Sequence, residues 1–577
     1  MARIPSQVDY NCQMKPSPSR LCPYSISEWT ARKAPAPRTA SPPGMRPPMV
    51  DVAIIGGGIQ GAGIAREAAL RGLTVALFEK GDFGSGTSSR TSGLIHGGIR
   101  YLEQGEIGLV REAVRERQIL LRIAPHLVRP LPFLFPFYRG DRRGHWTLRV
   151  GMTIYDLLAG FGGIGRHQML SPDAVHACEP QLRSEGLLGA ARFYDAQMDD
   201  ARLCLAVIRS AQTLGAAVFR DTPVVGLLRE GAAVCGVTVS ETVSGKQYDI
   251  PARVVVNAAG PWVDTICKMA GDETRRLRPT KGIHILYPQV TRQAIVGQDA
   301  RNRRIFFVIP WEAQSLIGTT DTDYPGDPDA VCAEPAEVND LLSAVGGLFP
   351  SVDFSPERVI STYAGIRPLV GSKEGLASES DLSREGALSW TAGGMLVVVG
   401  GKYTLFRKTA ERAVDLLAKR HSFSIADRPA TEPPLFGGEM TSFPTYLATA
   451  LPLAMKKYNV TSDCAKRLIG RYGTAHDDVL RTLVDHPALA TPLLPSGEHI
   501  AAEVAYAIYD EAAIHLQDVW QRRLGLARGP LGNDPALREY VGRLMGEICG
   551  WDAARLAQEQ DAATGRRSTG VHIEVVR

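Results

Sequence analysis

The chain has 577 residues and no apolar run near the roughly 18–20 needed to cross a bilayer. Its N-terminus has no apolar core of the kind a secretory signal carries. The nine cysteines, from Cys12 to Cys549, form no CxxC pair and no Cys/His cluster. That spacing speaks against a disulfide framework and a structural zinc site, and for free thiols in a reducing compartment; no metal is expected. Net charge is also small: a formal +4 gives no case for nucleic acid, and any attraction to a membrane would be local. Internal repeats are absent. The chain therefore reads as cytoplasmic, with attachment to a membrane surface left open. An apolar content of 44% and a charged content of 22% are ordinary globular values, and the length allows about three domains.

Residues 1–49 differ from the rest. "KPSPSR", "KAPAPR" and "SPPGMRPPM" are rich in proline and basic residues. Such composition buries no core. The segment reads as a disordered tail or as sequence upstream of a start at Met45 or Met49. From Val50 the pattern turns α/β, with "VDVAII" as a strand, "AGIAREAALRG" as a helix closed by Gly72 and "TVALFEK" as a second strand. The stretch 106–127 predicts an amphipathic helix with Ile107, Val110, Val114 and Leu121 on one face, stopped by Pro125. The run 139–145, "RGDRRGH", reads as a solvated loop with a lipid-headgroup contact as its alternative. The run 151–160, "GMTIYDLLAG", reads as core packing with a membrane- or quinone-facing helix as its alternative. Strand-like runs between about 278 and 370 suggest an antiparallel or mixed sheet. "MLVVVGG" (395–401) is a further buried strand, followed by a helix. Residues 427–444 read as a linker. Beyond it the sequence is helical, with "DCAKRLIGRYG" capped near Ser462 or Asp463, and "EVAYAIYDEAAIHLQDVWQRR" as one long helix.

The sharpest local signal is "VDVAIIGGGIQGAGIA". It sets Gly56, Gly58 and Gly61 between a strand and a helix, with Glu79 at the end of the next strand. Those glycines allow a tight turn, close approach to a pyrophosphate and close helix–sheet packing, while the helix N-terminus offers N–H groups to phosphate. Glu79 would accept hydrogen bonds from an adenosine ribose. The four parts together indicate a dinucleotide site. Glycine turns recur far downstream at 257–262 and 397–404. Return strands so distant suggest FAD rather than NAD, with a substrate domain inserted between them. A second glycine turn, "SGLIHGGIRYLEQ" (92–104), lies a few dozen residues on. It reads either as an active-site wall or as a turn into a helix.

The segments "IIGGGIQGAGIAREAALRGLTVALFEKGDFGSGTSSRTSGLIHGGIRYLE", "QMDDARL", "VVVNAAGPWVD", "KGIHI", "FFVIPW", "IGTTDTDYPGDP", "YAGIRPL" and "GGKYTLFRK" occur in this order over roughly 50–420. Together they resemble the FAD-dependent glycerol-3-phosphate dehydrogenase family. The resemblance implies an α/β fold (α+β overall): a Rossmann-like FAD-binding domain, an interleaved antiparallel or mixed-sheet substrate domain over 50–426, and a helical C-terminal domain over 427–577. It implies FAD held non-covalently, oxidation of sn-glycerol 3-phosphate to dihydroxyacetone phosphate, and electrons passed to a quinone, or to oxygen in oxidase relatives. It also implies peripheral attachment to the inner face of the cytoplasmic membrane, with a homodimer left open.

The resemblance also implies roles for residues. Arg367 would stabilise an alkoxide or bind phosphate, because its guanidinium stays protonated and is a poor proton acceptor. Lys402 would lie near flavin and substrate phosphate. His284 would be the base, a histidine being suited to proton transfer near neutral pH. Arg100, Tyr101, Thr319, Thr320 and Arg384 would contact substrate. Besides Gly56, Gly58, Gly61 and Glu79, the residues expected along FAD are Thr87, Ser88, Ser89, Gly93, Leu94, His96, Gly97, Gly260, Trp262, Gly401, Lys402 and Thr404. Gly98 would also let backbone approach the cofactor. The chain departs from the family at Gly93, where a lysine is common, after "GGK", and over the stretch following "GIRPL". Those departures leave the exact polyol phosphate open, erythritol phosphate being an alternative, but not the flavin. Two further alternatives are the same chemistry on a 2-hydroxy acid, which the several cationic candidates speak against, and a catalytically decayed FAD-binding protein, which the intact set His96, Arg100, His284, Arg367 and Lys402 argues against.

Overall fold

The computed structural model describes residues 49–141, 144–160, 164–371, 386–529 and 531–563, without the side chains of Arg100, Glu103 and Gln104. The Pro-rich segment, apart from Met49, and Arg384 lie outside the described residues.

The strand Val50–Ile55 is apolar apart from the half-buried Asp51, because both its faces are covered. Val52 and Ile54 pack with the helices Ile59–Leu70, Asp200–Thr213 and Phe406–His421, while Ala53 and Ile55 join a core on the opposite face. The strand pairs in parallel with Val75–Phe78 and with Gln247–Asn257. Val75–Phe78 pairs in parallel with Ala217–Phe219, and Gln247–Asn257 with Leu396–Gly400. The antiparallel hairpin Gly386–Trp390/Leu396–Gly400 closes one edge. This sheet is thus assembled from strands far apart in sequence.

The intervening chain builds a second sheet. Across it run Thr322–Asp323, Leu277–Pro288, Gln314–Gly318, Ile305–Trp311, Ala294–Gln298, Val128–Tyr138, Leu187–Met198 and Leu94–Ile95. Ser361–Val370 lies antiparallel along Leu277–Pro288 and places Tyr363 opposite His284 and Arg367 opposite Thr280. The pairing of Ala294–Gln298 with Val128–Tyr138 is parallel, so this sheet is mixed. The helices from Phe443–Tyr458 onward bury a core of their own around Trp520, Tyr506 and Leu468.

Several boundaries differ from expectation. The stretch 427–442 holds neither helix nor strand, yet it is strapped down: Arg66 donates to Glu432 Oε1 (2.6 Å) and to the Pro433 carbonyl (2.9 Å), and Leu435 is fully buried. Thr461, not Ser462 or Asp463, caps the helix Ser462–Tyr472 by accepting from Cys464 N. In the helix Ile107–Ile123, Val110 and Val114 are buried as expected, but Ile107 is exposed.

The expected long helix from Glu503 to Arg523 breaks after Tyr509 and resumes as a short π-helical turn, Asp518–Arg523. The break lets its acids and bases face the FAD-binding domain. Arg202 donates to Glu511 (2.7 Å) and Arg220 to Asp518 (2.6 Å). Arg523 grips Asp82 with two bonds (2.5 and 2.8 Å), and Arg522 also donates to Asp82. Burial alone would raise the Asp82 carboxyl, but Arg523, Arg522 and Arg220 hold it far below the usual carboxylate range.

The expectation of core packing for 151–160 holds for one face only. The helix His145–Leu158 buries Leu148, Met152 and Tyr155. Trp146, Val150, Ile154 and Leu157, spaced 4, 4 and 3 apart on the other face, are 71%, 57%, 39% and 53% exposed.

Candidate active site

The first glycine turn has the shape its sequence implies. Gly56 has φ +107°, and a Cβ there would lie 2.6 Å from the Ala258 carbonyl oxygen. A Cβ on Gly61 would lie 2.0 Å from the Gly56 oxygen, so the helix can approach the turn only without one. Gly58 is the N-cap and brings no side-chain cap. Ile59 N donates to Ser88 Oγ (2.9 Å), which places the turn Thr87–Ser89 at the helix N-terminus. Glu79 accepts from Gly57 N (2.7 Å) and Gly81 N (2.9 Å). Burial pushes its carboxyl up, and these N–H groups oppose that shift. Beside the helix start, both polar atoms of the buried Gln60 amide lack a hydrogen-bond partner, and a Cβ on Gly401 would lie 2.6 Å from Gln60 Nε2. A glycine-lined cradle at a helix N-terminus and an orphaned amide suit a pyrophosphate-linked dinucleotide.

The other residues expected along the cofactor are placed in varied ways. His96 N donates to Thr404 Oγ1 (3.2 Å), tying the second glycine turn to the turn Tyr403–Leu405 after Lys402. Lys402 Nζ sits 3.3 Å from the centre of the Tyr101 ring, a cation–π contact. Trp262 Nε1 donates to Asp329 (3.1 Å), and its ring lies beneath Lys80 (3.8 Å). Gly260, at φ +56°, starts the turn leading to Trp262. Thr87 Oγ1 donates to the Ile366 carbonyl (2.6 Å), while Leu94 pairs with Gln197 in the second sheet. Gly97 serves packing: a Cβ there would strike the Tyr155 hydroxyl at 2.2 Å, and Gly97 N donates to Asp195 Oδ1 (3.0 Å). Gly93 has φ +63°, and a Cβ there would meet the Trp311 ring at 2.6 Å. Trp311 therefore fills the space into which a side chain at position 93 would start.

Of the residues expected to be catalytic, His284 and Arg367 lie on the paired strands Leu277–Pro288 and Ser361–Val370 of the second sheet, whereas Lys402 follows Leu396–Gly400 of the first. His284 is 3% exposed; its ring stacks on Tyr363 with centroids 4.8 Å apart, and Nε2 lies 2.8 Å from Ser92 Oγ. Its Nδ1 is buried without a hydrogen-bond partner. Burial, then the charges of Arg367 and Arg528, hold the imidazole well below the ordinary histidine value, so the ring is neutral near pH 7. Arg367 Nη2 donates to Thr319 Oγ1 (2.8 Å) and the Thr320 carbonyl (3.0 Å), and Nη1 donates to Asp321 (3.1 Å). Thr320 Oγ1 accepts from Ile283 N (3.0 Å), fixing the loop to the histidine strand. Thr319 and Thr320 thus orient the Arg367 guanidinium and tie it to the strand that carries His284. Gly282 makes room for the guanidinium, since a Cβ there would meet Arg367 Nη2 at 2.3 Å. Arg100 lies on the turn Ile99–Gln104, with its side chain outside the described residues. Ser92, Tyr363 and Arg528 were not singled out from the sequence. Ser92 and Tyr363 both sit inside quoted motifs; nothing local marks Arg528.

A dinucleotide cradle joined to a second sheet carrying a neutral histidine and an oriented arginine defines a two-domain flavoprotein oxidoreductase. The comparisons agree. The family model "FAD dependent oxidoreductase" matches residues 51–402, and "C-terminal domain of alpha-glycerophosphate oxidase" matches 429–556. Glycerol-3-phosphate dehydrogenase 2 of Mycobacterium tuberculosis is 36% identical over 525 residues, covering 88% of this chain and 86% of its own. Glycerol-3-phosphate dehydrogenase of Synechocystis is 35% identical over 527 residues, covering 87% and 93%. The solved glycerol-3-phosphate dehydrogenase of Bacillus halodurans, complexed with FAD, superposes with a TM-score of 0.76 at 29% identity, over 90% of this chain and 94% of that one. The chain belongs to the glycerol-3-phosphate dehydrogenase family of FAD dependent oxidoreductases, and its cofactor is FAD.

Proposed function

We propose that this chain oxidises the secondary hydroxyl of sn-glycerol 3-phosphate to dihydroxyacetone phosphate and passes the electrons to a membrane quinone. The observation that carries the reading is the neutral His284 beside the clamped Arg367. FAD supplies the hydride acceptor at its N5. A hydroxyl losing hydride from carbon must also lose its proton, and an imidazole with an unused nitrogen can take it. The dianionic phosphate would raise the basicity of His284 on entry, offsetting the two guanidinium charges that depress it. Arg367, held by Thr319, Thr320 and Asp321, is pre-oriented to meet an alkoxide or phosphate oxygen. Lys402 adds a second cation near the flavin cradle. The names of the relatives support the same substrate.

The membrane part rests on the helix His145–Leu158. Its exposed stripe includes Trp146, whose ring lies 5.6 Å from the Arg149 guanidinium carbon, an arrangement suited to the bilayer interface. The inner face of the helix reaches the second glycine turn, because Tyr155 donates to the same Asp195 oxygen that accepts from Gly97 N. A surface docked on lipid would then lie close behind that turn, which suits a lipid-soluble acceptor and the inner face of the cytoplasmic membrane.

Anaerobic bleaching of the purified yellow protein tests the chemistry. Glycerol 3-phosphate is expected to bleach it faster than erythritol phosphate or a 2-hydroxy acid; bleaching by erythritol phosphate alone would move the substrate to the longer polyol. Reoxidation by a short-chain quinone should outpace reoxidation by oxygen. Trp146→Glu/Val150→Glu should abolish sedimentation with anionic vesicles while leaving bleaching intact. If vesicle binding persists and the variant instead turns from dimer to monomer, the stripe is an interface between two copies.

A further inference from the structure

The helical C-terminal domain sends one side chain into the catalytic layer. Arg528, on the turn Leu526–Arg528, donates from Nη1 to Asp200 Oδ1 (3.1 Å) and from Nη2 to the Ser89 carbonyl. Its guanidinium carbon lies 4.7 Å from the centre of the Tyr363 ring. Tyr363 is the ring on which His284 stacks, and its hydroxyl donates to the Thr91 carbonyl (2.7 Å). Asp200, fully buried, accepts at Oδ2 from both Thr91 N (2.9 Å) and Thr91 Oγ1 (2.8 Å). The next residue, Ser92, is the hydrogen-bond partner of His284 Nε2. Both supports of the imidazole therefore lead to Arg528: Tyr363 through the face of its ring, and Ser92 through Thr91 and Asp200.

We infer that Arg528 is a positioning residue for the oxidation, and that docking of the C-terminal domain completes the active site by fixing the plane of the His284 ring. The inference rests on the proposed role of His284 as proton acceptor. The arrangement has few alternatives for delivering a cation here. The fork must satisfy a carboxylate and a carbonyl together while its carbon stays over an aromatic ring, and a planar guanidinium does this where an ammonium cannot. The charged groups bearing on His284 are Arg367 from the neighbouring strand and Arg528, with Asp200 behind Arg528. Against its own burial, Arg528 is held charged by Asp200 and Tyr363. Removing Arg528 should loosen the ring and take away one of the two charges that keep it neutral.

The test uses full-length holoenzyme carrying Arg528→Met and Arg528→Lys. Arg528→Met is expected to keep bound FAD at the wild-type ratio and to bleach with glycerol 3-phosphate about 10- to 100-fold more slowly, the scale of a misplaced catalytic group. The substrate concentration for half-maximal bleaching should change little. The pH at which bleaching fails on the acid side should rise. Arg528→Lys should restore that pH limb without the full rate. An independent readout is the imidazole NMR signal of His284 in isotopically labelled protein, assigned by its loss in His284→Asn; its midpoint should move up in Arg528→Met. If Arg528→Met does not fold, Tyr363→Phe, which cuts only the tie to Thr91, should still slow bleaching severalfold. An unchanged rate with an unmoved His284 midpoint overturns the inference. So does a slowed rate that merely tracks lost flavin or lost folded protein. If no polyol phosphate bleaches the wild type, the functional reading fails, while the NMR comparison still decides whether Arg528 governs His284.

Discussion

Gly61→Ala tests the expected role of the first glycine turn in holding FAD. The added methyl would sit 2.0 Å from the Gly56 carbonyl oxygen, whereas real Cβ atoms essentially never come closer than 3.0 Å. The start of the helix Ile59–Leu70 must therefore retreat by about 1 Å, and overpacking of this kind costs ~1–3 kcal/mol. Its N-terminal N–H groups are the ones a pyrophosphate would meet, so FAD must either bind at a longer distance or force the methyl back. At 1.4 kcal/mol per factor of ten, FAD affinity should fall about 5- to 150-fold. Titrating apoprotein with FAD and following the quench of flavin fluorescence gives the affinity directly, while circular dichroism checks that the α/β domain still forms. Gly72→Ala is the control. It lies at φ +86° just past the other end of the same helix, with nothing within 4 Å of its Cβ. It should cost ~1–2 kcal/mol of stability through backbone strain while leaving FAD affinity unchanged. A Gly61→Ala protein that binds FAD within twofold of wild type would refute the cradle as drawn.

Asp82→Asn should leave Arg522, Arg523 and Arg220 facing a neutral amide in a buried interface. A broken buried pair of this kind typically costs ~3–5 kcal/mol, and limited proteolysis should then release the helical domain at urea concentrations that leave the wild type intact. Arg367→Ala should keep bound FAD and lower kcat/KM about 10²- to 10³-fold, as expected for loss of an oriented oxyanion donor; stopped-flow bleaching measures it, and loss of flavin instead would place the arginine against the cofactor. His515 gives a pH signature. Burial alone would lower its pKa, but Asp221 and Glu559 raise it to about 10. Because the folded value exceeds the unfolded value of about 6.5, this contribution to stability is full below about 6.5 and disappears as pH rises through about 10. Thermal melts from pH 6 to pH 10.5 should show that loss, and His515→Gln should flatten it.

What was legible in the sequence was whatever local geometry or contiguous motifs encode. The strand–turn–helix with Gly56, Gly58, Gly61 and Glu79 is one short unit, so its spacing alone carries its shape. The second sheet was legible from buried β-rich runs, and His284, Arg367 and Lys402 from the motifs around them. Arg528 was not, because its partners Asp200, Ser89 and Tyr363 meet it only through tertiary folding and its own neighbours are featureless. The break after Tyr509 was invisible for the same reason. Residues 503–523 favour a helix by local propensity, yet Glu511 and Asp518 must turn toward Arg202 and Arg220, some 300 residues earlier in the chain, and that buried pairing outweighs the helical preference. The helix His145–Leu158 failed differently. It is apolar on both faces, so periodicity identifies no inward side; the tertiary packing of Leu148, Met152 and Tyr155, with the Tyr155–Asp195 bond under Gly97, shows which face the protein covers. That bond also settles how "SGLIHGGIRYLEQ" should be read. Gly97 is small because Tyr155 presses on it, Gly93 because Trp311 does, and Ser92 holds His284. The turn leads into a helix and also touches His284 through Ser92, with Gly93 and Gly97 set by the protein packed against them.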